Sequence, residues 1–186
     1  GLQWASAGMP PLAFDIETPH EKDDEEDEGL KPSDAIYRIG LAYRTTAVTH
    51  VLSVPWGGAY TDVVKDVLCK APDGLVWNRH FDVPRLRLHG VRFQHVHDVQ
   101  EMWHLFYTDL PKKLEFAAPF LVPAQPYWKD QVHSRPAYYN AIDAAVTAEG
   151  YAVLWGNGIT GGVPRAQEPD EVPVEGAQLC DEDIPF

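Results

Sequence analysis

Cysteine is scarce in this chain. Only Cys69 and Cys180 occur, too few for a disulfide framework, so the sequence points to a reducing, cytoplasmic setting. No run approaches the roughly 18 apolar residues of a transmembrane helix. Residues 1–9 lack the basic stretch and apolar run of a secretory signal. The first residue is Gly1 and not Met, which suggests a processed N-terminus. Internal repeats are absent. Positive charge is also short: 15 Lys and Arg stand against 28 Asp and Glu, a net charge of −13. Taken as a total, that argues against a nucleic-acid partner. The distribution of the charge points the other way. Residues 21–34 carry eight acids and two bases, and residues 165–186 carry seven acids and one base. The remainder has 13 acids and 12 bases. The body is therefore near neutral, and a basic footprint for phosphates is not excluded.

The 186 residues, 45% hydrophobic and 11% aromatic, suffice for one domain with a real core. Residues 12–17, a short apolar run ending in acids, predict a buried strand. The acidic stretch that follows, with a lone Gly29 and Pro32, predicts a solvated loop. Residues 36–44 and 47–54 are rich in β-branched and aromatic types and predict a hairpin turning at Thr45-Thr46. Val63, Val64, Val67 and Leu68 have helical spacing, predicting a helix over 60–70. A buried strand is expected at 75–77 and a second at 93–97. Between them lies a helix over 81–89 with Pro84 in its first turn. Further helices are expected over 99–107 and 114–121. The longest spans 134–155, capped by Ser134 with Pro136 in its first turn. Strands first, then strands interleaved with helices, argue an α/β domain with a mixed sheet flanked by helices. The organisation expected is an N-terminal extension (1–9), a domain (10–155) and a disordered acidic C-terminal tail (156–186), hinged at Gly156.

Three segments carry the chemistry. Asp15-Ile16-Glu17 ends the first strand, where period-two alternation puts both carboxylates on one face of the sheet. Two acids so close repel unless a cation holds them. Asp82 follows Asn78 by four residues at the opening of a helix, where an acid also suits the helix dipole. Tyr139 and Asp143 are i and i+4 on a helix, neighbours on one face. Each segment alone is ordinary. Four carboxylates and a tyrosine in this order, with strands and helices between, make a candidate two-metal centre.

Phe14-Asp15-Ile16-Glu17-Thr18, Asn78-Arg79-His80-Phe81-Asp82 and Tyr139-Asn140-Ala141-Ile142-Asp143 resemble, in order, the three motifs of the DnaQ-like 3′→5′ exonucleases in their tyrosine (DEDDy) form. The third is especially similar to the exonuclease domains of bacterial and phage family-A DNA polymerases. The resemblance covers about residues 10–155 and implies an RNase H-like fold. It also implies two divalent ions, Mg²⁺ or Mn²⁺. Asp15 would bridge both, Glu17 and Asp143 would complete one site, and Asp82 would hold the other. Tyr139 would orient the attacking water; a tyrosine of ordinary pKa is a poor base at neutral pH. Thr18, Asn78, Phe81 and Arg79 would help bind the terminal nucleotide. Some of Arg79, Arg85, Arg87, Arg92, Lys112 and Lys113 would meet phosphates. Trp103, Tyr107, Phe120 and Trp128 could stack on bases, although core packing is the preferred reading. No polymerase domain is visible, so the activity expected is a stand-alone exonuclease acting on single-stranded DNA 3′ ends in replication, repair or recombination. A phage or mobile-element source fits that picture, and a polymerase served in trans is a further possible partner.

The last residues, Asp181-Glu182-Asp183-Ile184-Pro185-Phe186, resemble the acidic tip of bacterial single-stranded-DNA-binding proteins. The resemblance implies docking to host proteins that recognise that tip, with a Pro- and Glu-rich linker giving reach. Two other readings compete with the DNA exonuclease. One is a ribonuclease D-like exoribonuclease. The other is an inert nuclease fold whose tip titrates those host proteins, which the complete set of carboxylates opposes. His89, His95 and His97 lack a cysteine pair, so partly exposed histidines are preferred to zinc ligands. Gly156-Asn157-Gly158 and its surroundings lack the Gly-Lys-Ser/Thr end of a P-loop.

Overall fold

Alternation along the first strand builds both layers of the molecule. In β1 (Leu12–Glu17), Leu12, Phe14 and Ile16 are buried on one face, while Ala13, Asp15 and Glu17 take the other. A computed structural model describes residues 10–19 and 35–160. The N-terminal extension, the acidic loop and the acidic tail beyond Thr160, with its tip, lie outside the described residues. β2 (Arg38–Arg44) and β3 (Thr49–Pro55) form the expected hairpin, and β1 lies antiparallel to β2. β4 (Asp73–Val76) and β5 (His95–Asp98) extend the sheet on the other side of β1 in parallel. The order β3-β2-β1-β4-β5, mixed and flanked by helices, is the RNase H-like α/β arrangement.

One face is covered by α1 (Ala59–Lys70) and α2 (Arg79–Leu88), which bury Val64, Leu68, Val83 and Leu86 against Phe14, Ile16, Ile39 and Val76. Phe14 is fully buried and stacks on Phe93 with centroids 4.8 Å apart. The other face is covered by α3 (Val99–Phe106), α4 (Leu114–Leu121) and α5 (Pro136–Thr160), packed around Trp103, Trp128 and Leu121. α5 lies across β1, β2 and β3. Glu149 ties it to the hairpin by accepting from Arg44 Nε at 2.8 Å and from the Thr49 hydroxyl. A Cβ on Gly40 would stand 2.5 Å from the Asn140 carbonyl oxygen, so the bare backbone of β2 is what lets α5 approach. Gly40 is the register partner of Asp15, which places that close approach beside the first motif. No helix among the described residues is long and apolar enough to cross a membrane.

Every expected strand and helix is present with the expected type, but some boundaries move for identifiable reasons. α2 starts at Arg79, two residues early, because Asp98 accepts from Asn78 N–H at 3.2 Å and Arg79 N–H at 2.9 Å. That satisfies donors a helix start leaves free. Asn78 bends into the helix in the left-handed region (φ 72°). Pro84 consequently falls in the second turn, where it removes one helical hydrogen bond. Ser134 does not cap α5. The chain is already turning there, with Arg135 N–H on the Gln131 carbonyl at 2.8 Å, and the Ser134 hydroxyl donates to the same carbonyl at 3.5 Å. At its other end α5 passes through the expected hinge at Gly156 and runs to Thr160. Gly156 and Gly158 both fall inside it, and each helical glycine costs only about 0.5–1 kcal/mol.

Candidate active site

β1 ends at an open cleft of about 270 Å³ lined by Asp15, Glu17, Asn78, Phe81, Asp82, Lys113, Lys129, Tyr139 and Asp143, among others. Its volume is near the lower end of the roughly 300–1,000 Å³ typical of small-molecule sites. Asp15 and Glu17 arrive from the sheet face that packs on α5. Asp143 arrives from α5, one turn beyond Tyr139. Each of these three carboxylates offers an oxygen, and the three oxygens lie within 4.8 Å of one another. No other group of three or more His, Cys, Asp or Glu among the described residues could share a metal ion in this way.

Asp82 lines the same cleft but stands outside that trio. Its Oδ1 accepts from the Ile16 N–H at 2.9 Å. The pairing of β1 with β4 is confined to Leu12 and Ala13, and Asp82 satisfies the strand donor beyond it. It is 2% exposed, so the second motif is locked to the first through backbone. Asn140, quoted in the third motif without a role, fixes Asp15. Its Nδ2 donates to the Asp15 carboxylate at 2.8 Å and to the Asp15 carbonyl at 3.0 Å, while its Oδ1 accepts from Ser53 Oγ at 2.7 Å. Ser53 in turn accepts from Arg38 Nη1 at 3.2 Å. Each amide hydrogen bond therefore has one sense, and Asn140 is fully buried.

Burial drives the electrostatics. It raises Asp15 well above the usual carboxylate range, reinforced by Asp143, Asp82 and Glu17 in that order. Burial and then Asp143 push Glu17 up to about 7. Burial pushes Asp82 up to about 8 against the opposing pull of the Ile16 N–H and Arg85. Asp143 is raised by burial despite Lys129 and Trp128. Burial and Asp143 lift the Tyr139 hydroxyl to about 12. Carboxylates in this state lack enough positive charge for full ionisation. A hard-oxygen trio of this kind fits a divalent ion such as Mg²⁺ or Mn²⁺ better than Zn²⁺.

Other expected residues scatter. Asn78 and Phe81 line the cleft; Thr18, half-buried after β1, and Arg79 do not. Arg79 instead stands 3.5 Å from Glu101 and lines a second groove with His80 and Arg87. Arg85 cannot serve phosphates. It is 6% exposed, donates to the Phe81 carbonyl at 2.7 Å and stacks 3.7 Å from that ring's centroid. Lys113 remains at the cleft. Trp103 and Trp128 are core residues, as preferred, but Phe120 is 58% exposed. His97 pairs with Asp73 at 3.0 Å. Besides the role of Asn140, two residues escaped the sequence reading. Asp98 caps α3 by accepting from the Gln100 and Glu101 N–H groups, besides starting α2; its signal was the Asp-x-x-Glu pattern of a capping box. Lys129, on a short 3₁₀ turn (Lys129–Gln131), sits at the carboxylates with no motif around it.

No protein-family model matches the chain, and no curated protein matches it. Solved structures do. That of Brucella melitensis NrnC with bound Mg²⁺ superposes with a TM-score of 0.59 at 18% sequence identity, over 85% of this chain and 78% of that one. The apo form of a nuclease gives 0.54 at 18% identity, over 81% and 76%. At such identity the likeness shows the fold.

Proposed function

We propose that this chain is a metal-dependent 3′→5′ exonuclease of the tyrosine type, releasing nucleoside monophosphates from single-stranded DNA ends. The observation that carries the reading is the convergence of Asp15, Glu17 and Asp143 within 4.8 Å in an open cleft that also holds Asp82 and Tyr139. The Mg²⁺ in the NrnC structure and the nuclease named for the second neighbour support it.

Asp15, Glu17 and Asp143 would hold one divalent ion, and Asp15 with Asp82 a second. Bound there, such ions activate water and neutralise the leaving oxygen. The chain's own groups do the rest. Asn140 keeps one Asp15 oxygen occupied and so fixes how that carboxylate is presented. Tyr139, with its proton held up to about 12, positions the attacking water by hydrogen bonding and does not deprotonate it. Asn78 and Phe81 shape the wall against which the terminal nucleotide rests, and Lys113 offers positive charge at the rim. The tip at residues 181–186 would tether the enzyme to proteins that recognise the similar tip of single-stranded-DNA-binding proteins.

The test uses 3′- and 5′-labelled single-stranded DNA and RNA of equal sequence, with Mg²⁺, Mn²⁺ or EDTA, beside Asp15→Ala. The expected result is stepwise shortening of DNA from the 3′ end, abolished by EDTA and by the substitution. Faster loss of RNA would move the substrate to the ribonuclease side. No cleavage of either would overturn the reading.

A further inference from the structure

Lys129 carries the strongest unassigned signal in the molecule. Its Nζ stands 2.8 Å from each oxygen of Asp143 and 3.0 Å from the Tyr139 hydroxyl, 4.5 Å over the Tyr139 ring. The side chain is only 16% exposed. An ammonium has three donors and no acceptor, and here all three hydrogens have an oxygen to meet. Asp143 is correspondingly crowded. A carboxylate offers about four lone-pair directions. Trp128 Nε1, at 2.6 Å, and Lys129 take Oδ1, and Lys129 also takes Oδ2. The Tyr139 hydroxyl also bonds to Asp143, so an arriving cation would take the direction that hydroxyl gives up.

We propose that Lys129 is a positioning residue that acts as a resident cation of this centre: it holds Asp143 and Tyr139 in their working arrangement before any divalent ion binds, stays on Asp143 when one does, and so sets how tightly the ion is held. The inference rests on the nuclease reading for the identity of the ligand, a divalent cation. Two consequences oppose each other, and that opposition makes the idea testable. Without the ammonium, the three neighbouring carboxylates face one another uncompensated, so the metal-free protein is weakened. An arriving dication then meets one positive charge fewer and binds more tightly. A lysine with a merely structural role would weaken both fold and ion binding together. Its loss also frees the Tyr139 hydroxyl from a fixed donor, so kcat should fall more than KM changes.

The experiment compares the full chain with Lys129→Met, Lys129→Gln and Lys129→Arg. Free Mn²⁺ is followed by electron paramagnetic resonance during titration, and thermal unfolding is followed in EDTA. The Met and Gln variants are expected to unfold at lower temperature in EDTA yet bind Mn²⁺ roughly ten- to hundredfold more tightly, the order set by removing a unit charge about 4 Å from a dication under strong solvent screening. Arg is expected to restore both values towards those of the unmodified chain. Gln is one atom shorter than Lys but keeps a neutral N–H donor for Asp143, so it reports even if Met does not fold. Mn²⁺ affinity unchanged or weaker in the variants would overturn the proposal and leave the nuclease reading intact. Failure of the unmodified chain to bind Mn²⁺ would overturn both.

Discussion

The two faces of β1 do opposite work. Leu12, Phe14 and Ile16 are sealed against α1, α2 and Phe93, whereas Ala13, Asp15 and Glu17 turn to the α5 side and bring two acids into an open cleft. Six consecutive residues thus contain a stabilising surface and a destabilising one. The apolar face fixes the strand firmly enough for the acidic face to gather charges that would separate if left free. Substitutions on the two faces should therefore separate stability from activity.

The largest effect is expected from Asp15. Asp15→Asn should lower cleavage by at least about 10³-fold, equivalent to roughly 4 kcal/mol of transition-state stabilisation. The same change should raise the melting temperature in EDTA at pH 8, because it removes a buried acid that the fold must either keep protonated or hold against its acidic neighbours. Phe14→Ala, one residue away, should reverse that pattern. Chemical denaturation should show a loss of about 3–5 kcal/mol, with activity falling only as the folded fraction falls. If both substitutions merely destabilised the protein, the contrast between the faces would be wrong.

Gly40→Ala sharpens the comparison from the neighbouring strand. The added methyl would stand 2.5 Å from the Asn140 carbonyl oxygen, a contact that α5 or β2 must yield to. A cost of about 1–3 kcal/mol is expected by analogy with overpacked cores. Activity should fall further than that alone explains, since Asn140 and Asp143 move with the helix; urea melts and turnover measured on the same sample would show the difference. The smallest effect is the pH response. Glu17 is held up at about 7 and Asp82 at about 8, so the folded metal-free protein carries protons that the unfolded chain has released. The stability these two groups contribute is then fullest below their ordinary values of 4.5 and 3.8 and is lost as pH rises through 7 to 8. Melting curves in EDTA should show this fall, and added Mg²⁺ should stabilise more at pH 8 than at pH 6.

Much of the fold, and each half of the acidic trio, was legible from local periodicity, while the joining of Asp143 to Asp15 and Glu17 came from the resemblance of the three motifs taken together. Alternation placed Asp15 and Glu17 on one face, and the i, i+4 rule placed Tyr139 beside Asp143. What escaped depends on contacts between distant segments. Asn140 meets Asp15 across 125 residues, Asp98 meets Asn78 across 20, and Lys129 meets Asp143 from an aperiodic stretch between two helices. Arg85 looked like a free cation because it clusters in sequence with Arg79, Arg87 and Arg92 around the second motif; only packing shows it folded onto Phe81. The end of α5 was missed for the converse reason, since the local glycine signal was outweighed by a helix already propagating.

The central claim, that the cleft at the end of β1 is a divalent-metal centre, is tested most directly by anomalous diffraction from crystals soaked in Mn²⁺. The expected map places its strongest peak among Asp15, Glu17 and Asp143, and that peak is absent from Asp15→Asn crystals. A peak elsewhere, such as at Asp73 and His97, with none at the trio, would contradict it.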